Sequence, residues 1–396
     1  MSLLDRLKAQ IAQDGPIGVP EFFTRCLHDP RDGYYATRPA LGDKGGDFIT
    51  APLVSQMFGE LIGLWAIETW TRMGRPAPFR LVEMGPGDGT LMSDLLRAAR
   101  LEPAFLAAAE VWLVEVSEPL RARQAQRLGE VPRWVSRLDE VPGGAPMILI
   151  ANELLDCLPA RQFTRTKAGW AERVIGLGED GELAFGLRPL NPPPRGGGVR
   201  AADGGGSSAD LAPPLSGPEP VLGRAQSATR GDHLPLGGED LAVGAVVESS
   251  PAQAALASDI AHRLVTDGGA ALLIDYGRAA AEAGDTLQAV QNHAKVDPLK
   301  TAGLADLTVW ADFPAVLAAA REAGAKAGPI LTQGDFLRAL GIEARAQALA
   351  VARPDRADQI ARQLDRLVGQ AQMGALFKVA CLSAPDLSPP LFEDAT

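Results

Sequence analysis

The sequence predicts an α/β fold: a mostly parallel, Rossmann-like sheet with helices on both faces, extended by helical and hairpin segments. Three observations carry this expectation. From Phe79 onward, short apolar runs alternate with segments of helical period. Those runs are continuously apolar, as in strands buried on both faces. The first of them also passes through a glycine-rich turn, L-V-E-M-G-P-G-D-G-T-L at 81–91, into a helix.

Taken in order, apolar residues recur at helical spacing from Leu3 to about Ile11, and V-P-E-F-F-T-R-C-L gives a second helix with Pro20 in its first turn. D-P-R-D-G-Y-Y at 29–35 is turn chemistry followed by aromatics. G-D-K-G-G-D-F-I-T-A-P at 42–52 is a glycine-rich loop, and M-F-G-E-L-I-G-L-W-A-I-E-T-W opens a long apolar helix. Residues 1–78 therefore form an N-terminal helical segment with a lid loop. Residues 79–159 are the nucleoside-binding half, with strands at 80–84, 111–116, 134–135 and 147–151 and helices at 91–100 and 119–128. Alternation around G-L-G-E-D-G-E-L marks 160–188 as an inserted β-hairpin. The run 189–240 holds much of the glycine and proline and reads as a flexible loop. The sheet resumes over 241–283 with a helix and the buried strand G-A-A-L-L-I-D-Y. Residues 284–350 read as mostly helical, 351–383 as a helix and an antiparallel edge strand, A-L-F-K-V-A-C-L, and 384–396 as a tail.

A net charge of −11 with no long basic run argues against a nucleic-acid binder, which needs clustered Lys and Arg. Cys26, Cys157 and Cys381 are far apart, which suggests a reducing compartment and no disulfide framework. Four histidines make a multi-histidine metal centre unexpected. The N-terminus is amphipathic without a secretory apolar core, and no stretch of roughly twenty apolar residues spans a membrane. The expectation is a soluble, cytoplasmic protein with no metal and no membrane insertion.

Ligands of open parallel sheets sit at the carboxyl ends of the strands, so the first turn is the place to look. Dinucleotide sites use G-x-G-x-x-G there. This chain has G-x-G-x-G through Gly85, Gly87 and Gly89, with Pro86 between the first two and Thr90 in place of a further glycine. Glu83 would repel a phosphate. A backbone open to close approach beside an acid suits a cationic, phosphate-free nucleoside, and S-adenosyl-L-methionine is one. Its ribose needs a bidentate acceptor, which Glu115 at the end of the second strand can supply. NAD enzymes also place an acid about 20 residues on, whereas Glu115 lies 30 after Gly85. Asp88 is open between a helix cap and a ligand contact.

With these motifs in hand, the chain resembles the MidA-like methyltransferases, the family that includes the mitochondrial complex I assembly factor 7. D-G-Y-Y, G-D-F-I-T-A-P, S-Q-M-F-G-E-L-I-G, E-M-G-P-G-D-G-T-L-M, A-N-E-L-L-D-C-L-P, L-L-I-D-Y-G, H-A-K-V-D-P-L and G-L-A-D-L-T-V-W-A-D-F carry the resemblance across nearly the whole chain. It implies a class I methyltransferase fold with a seven-stranded sheet. It also implies protein-arginine methylation of a respiratory complex I (NADH dehydrogenase) subunit. One departure is visible: the family commonly has Pro-Glu after the F-I-T loop, and this chain has Pro52-Leu53.

For that chemistry, carboxylates that fork a guanidinium would orient it. Glu153 and Asp156, in A-N-E-L-L-D just past the fourth strand, are assigned to this, with Asn152 near the methionine part of the cofactor. His293, grouped with Asp297 and Asp306, is either structural or a proton acceptor. Phe48 and Thr50, with Gly42 and Asp47, belong either to a lid over the cofactor or, for Phe48, to the core. Tyr276 and Gly277 would be wall residues. Two other readings remain open, a non-catalytic assembly factor that binds the same cofactor and a small-molecule methyltransferase. A nicotinamide oxidoreductase is disfavoured by the glycine spacing and Glu83.

Overall fold

The computed structural model describes residues 1–37, 50–190 and 241–393. Gly42, Asp47 and Phe48 of the expected lid, and nearly all of the expected 189–240 loop, lie outside the described residues.

Six strands build the body of the central sheet: β1 Phe79–Met84, β2 Ala109–Val114, β3 Arg133–Val135, β4 Met147–Asn152, β5 Gly269–Arg278 and β6 Phe377–Ser383. Their spatial order is β6-β5-β4-β1-β2-β3. All pairs are parallel except β6 on β5. The two-residue strands Lys326–Ala327 and Leu331–Thr332 cover the outer side of β6, which is therefore one step inside the edge. Every residue of β4 and β5 is buried, which is why both are apolar along most of their length, with Asn152 and Asp275 placed toward their carboxyl ends. On one face Phe58, Trp65, Leu91, Ile342 and Leu367 pack from the helical layer; on the other, Leu256, Ile260, Phe313 and Val316 do so.

Chain order reverses at β1, which has β2 on one side and β4 on the other. Such a switch point opens a crevice beyond the strand ends. The register sets Met84 beside Ala151 and Asn152 beside Ile274, so the turns after β1, β4 and β5 converge on one place.

Two expectations need correction. The inserted hairpin is a three-stranded meander, Arg161–Thr166, Gly169–Leu177 and Leu183–Pro189, and it sits in a five-stranded sheet completed by Ile17–Gly18 and Val246–Ser249. The added strands have two and four residues, too few to show a period, and are held by partners far away in sequence. The mostly helical reading of 284–350 also fails in its first half. Strands Gln288–Gln291, Ala294–Val296 and Asp306–Thr308 form a small antiparallel sheet before the helices begin. The first two are joined through Asn292 and His293, both left-handed at φ 51° and 61°, as a two-residue hairpin turn requires. The N-terminal helices Leu3–Asp14 and Val19–His28 close a third core over the meander and residues 299–309, with Phe22, Phe23, Ile175 and Leu307 inside. Among the described residues no helix is long and apolar enough to cross a membrane, and no group of His, Cys, Asp and Glu is arranged to hold a metal ion.

Candidate active site

The turn after β1 is built on left-handed backbone: Gly85, Gly87 and Gly89 have φ of 64°, 55° and 82°. A side chain would be strained at each. A Cβ on Gly85 would also lie 3.0 Å from the Leu154 side chain, so the turn after β4 presses against the turn after β1. Asp88 is consumed by structure. Its Oδ1 accepts from the Thr90 amide at 3.0 Å and the Thr90 hydroxyl at 2.6 Å, and its Oδ2 pairs with Arg127 at 2.7 Å. Asp88 thus braces the entry to the helix one residue before its N-cap Gly89, and it also lines the cleft beyond the strand ends.

Glu83, the next-to-last residue of β1, is 3% exposed and its Oε2 has no partner. Burial, with the nearby Asp88 and Glu115 charges, pushes its carboxyl well above the usual range. Glu115 sits one residue past β2. Its oxygens accept from the Ser117 amide at 2.8 Å and the Gln124 side chain at 3.2 Å, and the same Gln124 nitrogen donates to the Gly87 carbonyl at 2.8 Å. Glu115 is 6% exposed and held beside the glycine turn through Gln124, next to the residues that line the cleft but not one of them.

Beyond these strand ends lies a cleft of about 690 Å³ of empty space, open mouth included. Glu83, Gly85, Pro86, Gly87, Thr90, Thr50, Asn152, Glu153 and Asp156 all line it, so most of the residues singled out in the sequence meet in one place. Gly89 is buried in the turn beneath. Glu153 holds a left-handed φ of 54°, and its Oε1 accepts from the Ala51 amide at 3.1 Å and from Asn152 Nδ2 at 3.0 Å. Burial, then the neighbouring Asp156 charge, raises its carboxyl to about 8. Asn152 Oδ1 and Asp156 Oδ1 are buried without partners. Leu53 takes the wall position where the family pattern has an acid.

His293 does not join them. It is exposed at the hairpin turn and does not line the cleft, so its expected role as proton acceptor is corrected. Asp297 caps its own turn, its Oδ1 accepting from the Leu299 amide at 3.0 Å. Sequence reasoning also missed four groups. Asp275, fully buried in β5, accepts from the amides of Leu155 at 2.8 Å, Asp156 at 3.1 Å and Tyr276 at 2.8 Å, which fixes the turn carrying Asp156. Tyr35 contacts Cys157 Sγ at 2.9 Å and donates to Asp306 Oδ1 at 3.4 Å. Thr308 and Cys157 complete the far wall. The motifs D-G-Y-Y, A-N-E-L-L-D-C-L-P, L-L-I-D-Y-G and A-D-L-T contain these residues, but nothing in their spacing assigned them to the cleft.

Among the described residues five carboxyl groups line this cleft, those of Glu83, Asp88, Glu153, Asp156 and Asp306, and no Lys, Arg or His does. Of the eight buried polar side-chain atoms without a partner among the described residues, five belong to cleft residues: Glu83, Asn152, Asp156, Tyr276 and Thr308. Orphaned buried polar atoms are costly, and a cleft that collects them is shaped for a ligand. Their sign and the bare glycine backbone fit a cationic nucleoside.

Comparison with known proteins agrees. The family model described as "Putative S-adenosyl-L-methionine-dependent methyltransferase" matches residues 61–330. The chain is 34% identical over 405 residues to the protein arginine methyltransferase NDUFAF7 homolog, mitochondrial, of Drosophila melanogaster, covering 95% of this chain and 84% of that one. It is 32% identical over 407 residues to protein arginine methyltransferase NDUFAF7, mitochondrial, of Homo sapiens, covering 96% and 83%. A crystal structure of a protein from Burkholderia thailandensis described as a "likely methyl transferase", bound to S-adenosyl-homocysteine, superposes with a TM-score of 0.74 at 27% identity, over 96% of this chain and 91% of that one. The class I methyltransferase fold expected from the motifs is therefore the fold observed. The expected cytoplasmic location does not stand, because these relatives are named as mitochondrial proteins. Scattered cysteines point to reducing surroundings, and that signal does not separate one reducing compartment from another.

Proposed function

The chain belongs to the S-adenosyl-L-methionine-dependent methyltransferase family that its sequence matches over residues 61–330, and we propose that it methylates an arginine side chain of a protein, a respiratory complex I (NADH dehydrogenase) subunit during assembly. The observation that carries this reading is the cleft at the switch point, lined among the described residues by five carboxyl groups and no cationic side chain. Two cations must meet there, the sulfonium cofactor and a guanidinium, and acidic walls favour both. The names of the relatives support a protein arginine as the acceptor, and the family resemblance suggests the complex I subunit.

In this reading the left-handed turn Gly85–Gly89, with Pro86 and Thr90, lets the backbone approach the cofactor. Glu83 and Asn152 receive its methionine part with atoms that have no partner in the chain. Glu115 takes the ribose by giving up the long 3.2 Å bond from Gln124. Thr50 closes the mouth from the N-terminal side. When bound, S-adenosyl-L-methionine supplies a methyl carbon activated by sulfonium. Glu153 and Asp156 hold the guanidinium in line, and positioning alone lowers such barriers by roughly 7–11 kcal/mol. With His293 outside the cleft, the proton lost on methylation goes to this carboxyl pair, whose raised affinity for protons suits it to accept near neutrality.

The test is to incubate the purified protein with methyl-labelled cofactor and lysate of its own source, then hydrolyse the labelled protein. Label recovered as methylarginine from a complex I subunit is expected. Label confined to small molecules, or to residues other than arginine, would reject the acceptor.

A further inference from the structure

We propose that the far wall of the cleft is a preformed chamber for the guanidinium, with Asp306, Thr308 and Tyr276 completing a cage that Asp156 begins and Tyr35 closes. This rests on the arginine reading and adds to it residues from three segments well separated from the glycine turn and from A-N-E-L-L-D.

The segment Asp306–Thr308 is brought to the cleft by backbone pairing. It pairs with Gln288–Val290, and just beyond it the Val309 amide donates to the Asp156 carbonyl at 3.1 Å. Gln253 locks the junction, donating to the Leu155 carbonyl at 2.9 Å and accepting from the Asp312 amide at 2.9 Å. The cage is therefore rigid before any ligand arrives. Asp156 and Asp306 are each 5% exposed, and both stand near Tyr35 and Cys157.

What marks the cage as a binding site is its unsatisfied polarity. Asp156 Oδ1, Tyr276 Oη and Thr308 Oγ1 are all buried without a hydrogen-bond partner, in residues 5%, 8% and 2% exposed. Asp156, Tyr276 and Thr308 stand side by side, and no hydrogen bond of full geometry closes between them. Their oxygens can accept from a donor placed among them; among the described residues the donors within reach are the Tyr276 and Thr308 hydroxyls themselves. Burial drives both Asp156 and Tyr276 upward from their usual values, which a cation between them would reverse. A guanidinium brings five N–H donors in a plane and can stack on a tyrosine ring. An ammonium brings three donors, enough in number for these three atoms, but no plane to stack on the Tyr276 ring.

The experiment titrates the protein, loaded with S-adenosyl-homocysteine, with the blocked tripeptide acetyl-Gly-Arg-Gly-amide by calorimetry. Its lysine and citrulline counterparts serve as controls. The arginine peptide is expected to bind at least tenfold more tightly than the uncharged citrulline peptide and several-fold more tightly than the lysine peptide. Asp306→Asn should weaken it at least tenfold and Thr308→Val several-fold, with affinity for S-adenosyl-homocysteine kept within twofold. Thr308→Val preserves shape and guards against a folding defect in the charge variant. Equal binding of arginine and citrulline peptides, undiminished binding by both variants, or no peptide binding by a protein that does take up S-adenosyl-homocysteine would each overturn the cage. Arginine methylation of a protein in the lysate assay alongside any of those results would show that the cage alone had failed.

Discussion

Glu153 concentrates the costs of this site in one residue. It combines a left-handed φ of 54° with a carboxyl raised to about 8 by burial and by Asp156. In the unfolded chain it releases its proton near 4.3, about four units lower. Between those values the folded form holds more protons, so stability falls as pH rises through this window and is lowest once Glu153 ionises in place. Glu153→Gln keeps an acceptor for the Ala51 amide and the Asn152 side chain while removing the charge. It should raise the stability of the ligand-free protein at pH 8 by at least about 1 kcal/mol, the value of a one-unit shift, and leave it little changed at pH 5. Chemical denaturation at both pH values measures this, and equal effects at pH 5 and 8 would contradict the assigned cause. At this scale the sequence was most informative where a residue type had to suit a backbone. Gly85, Gly87 and Glu83 meet Asn152, Glu153 and Asp156 at the cleft, with Gly89 in the turn beneath. It was least informative for Tyr35, Asp275 and Thr308, whose neighbours come from distant strands. His293 shows the opposite error: a polar residue beside recognisable motifs was given chemistry, whereas its left-handed turn explains it.

Among the elements, the helix Gln56–Arg72 shows how packing sets the turn. Gly59 and Gly63 lie one helical turn apart and face the helix Thr90–Ala98 that leaves the glycine turn. A Cβ on Gly59 would fall 2.6 Å from Asp94 Cβ and 3.1 Å from the Leu91 carbonyl; one on Gly63 would fall 3.0 Å from the Leu95 carbonyl. The S-Q-M-F-G-E-L-I-G motif is thus a packing device that seats the cofactor-side helix. Glu60 on the same helix braces the contact, accepting from Arg97 at 3.0 Å and Arg345 at 2.8 Å. Gly59→Ala should cost roughly 1–3 kcal/mol through overpacking. Because the displaced helix begins at Thr90, affinity for S-adenosyl-homocysteine should also fall several-fold. Calorimetric binding alongside a thermal melt checks both, and a destabilised variant with unchanged affinity would separate the helix from the turn. The long elements were legible because strands buried on both faces and amphipathic helices write strong patterns. The two-, three- and four-residue strands of the outer sheets were not, since pairing across many residues decides them.

For the molecule as a whole, the division of labour between cores matters most. The central sheet presents the glycine turn, whereas Tyr35 is carried by the N-terminal helices, which share a separate core with the meander and residues 299–309. Composition and charge foretold an acidic cleft only in the loosest sense, because the net −11 does not say where the carboxyls gather. The topology gathers them by bringing this outer core over the switch point. If the two parts act as separate cooperative units, loosening the outer core should disturb acceptor binding and spare the cofactor side. Phe22 is fully buried in the outer core. Phe22→Leu conserves much of its volume, so a cost of about 1 kcal/mol is expected, within the range for hydrophobic swaps. Amide hydrogen exchange should then quicken across 1–37 and 287–309 while β1, β2 and β4 keep their protection. In the same variant the arginine tripeptide should weaken several-fold, with S-adenosyl-homocysteine held within twofold. Exchange that quickens evenly over the whole chain would show one cooperative unit, in which Tyr35 and the glycine turn cannot be loosened independently.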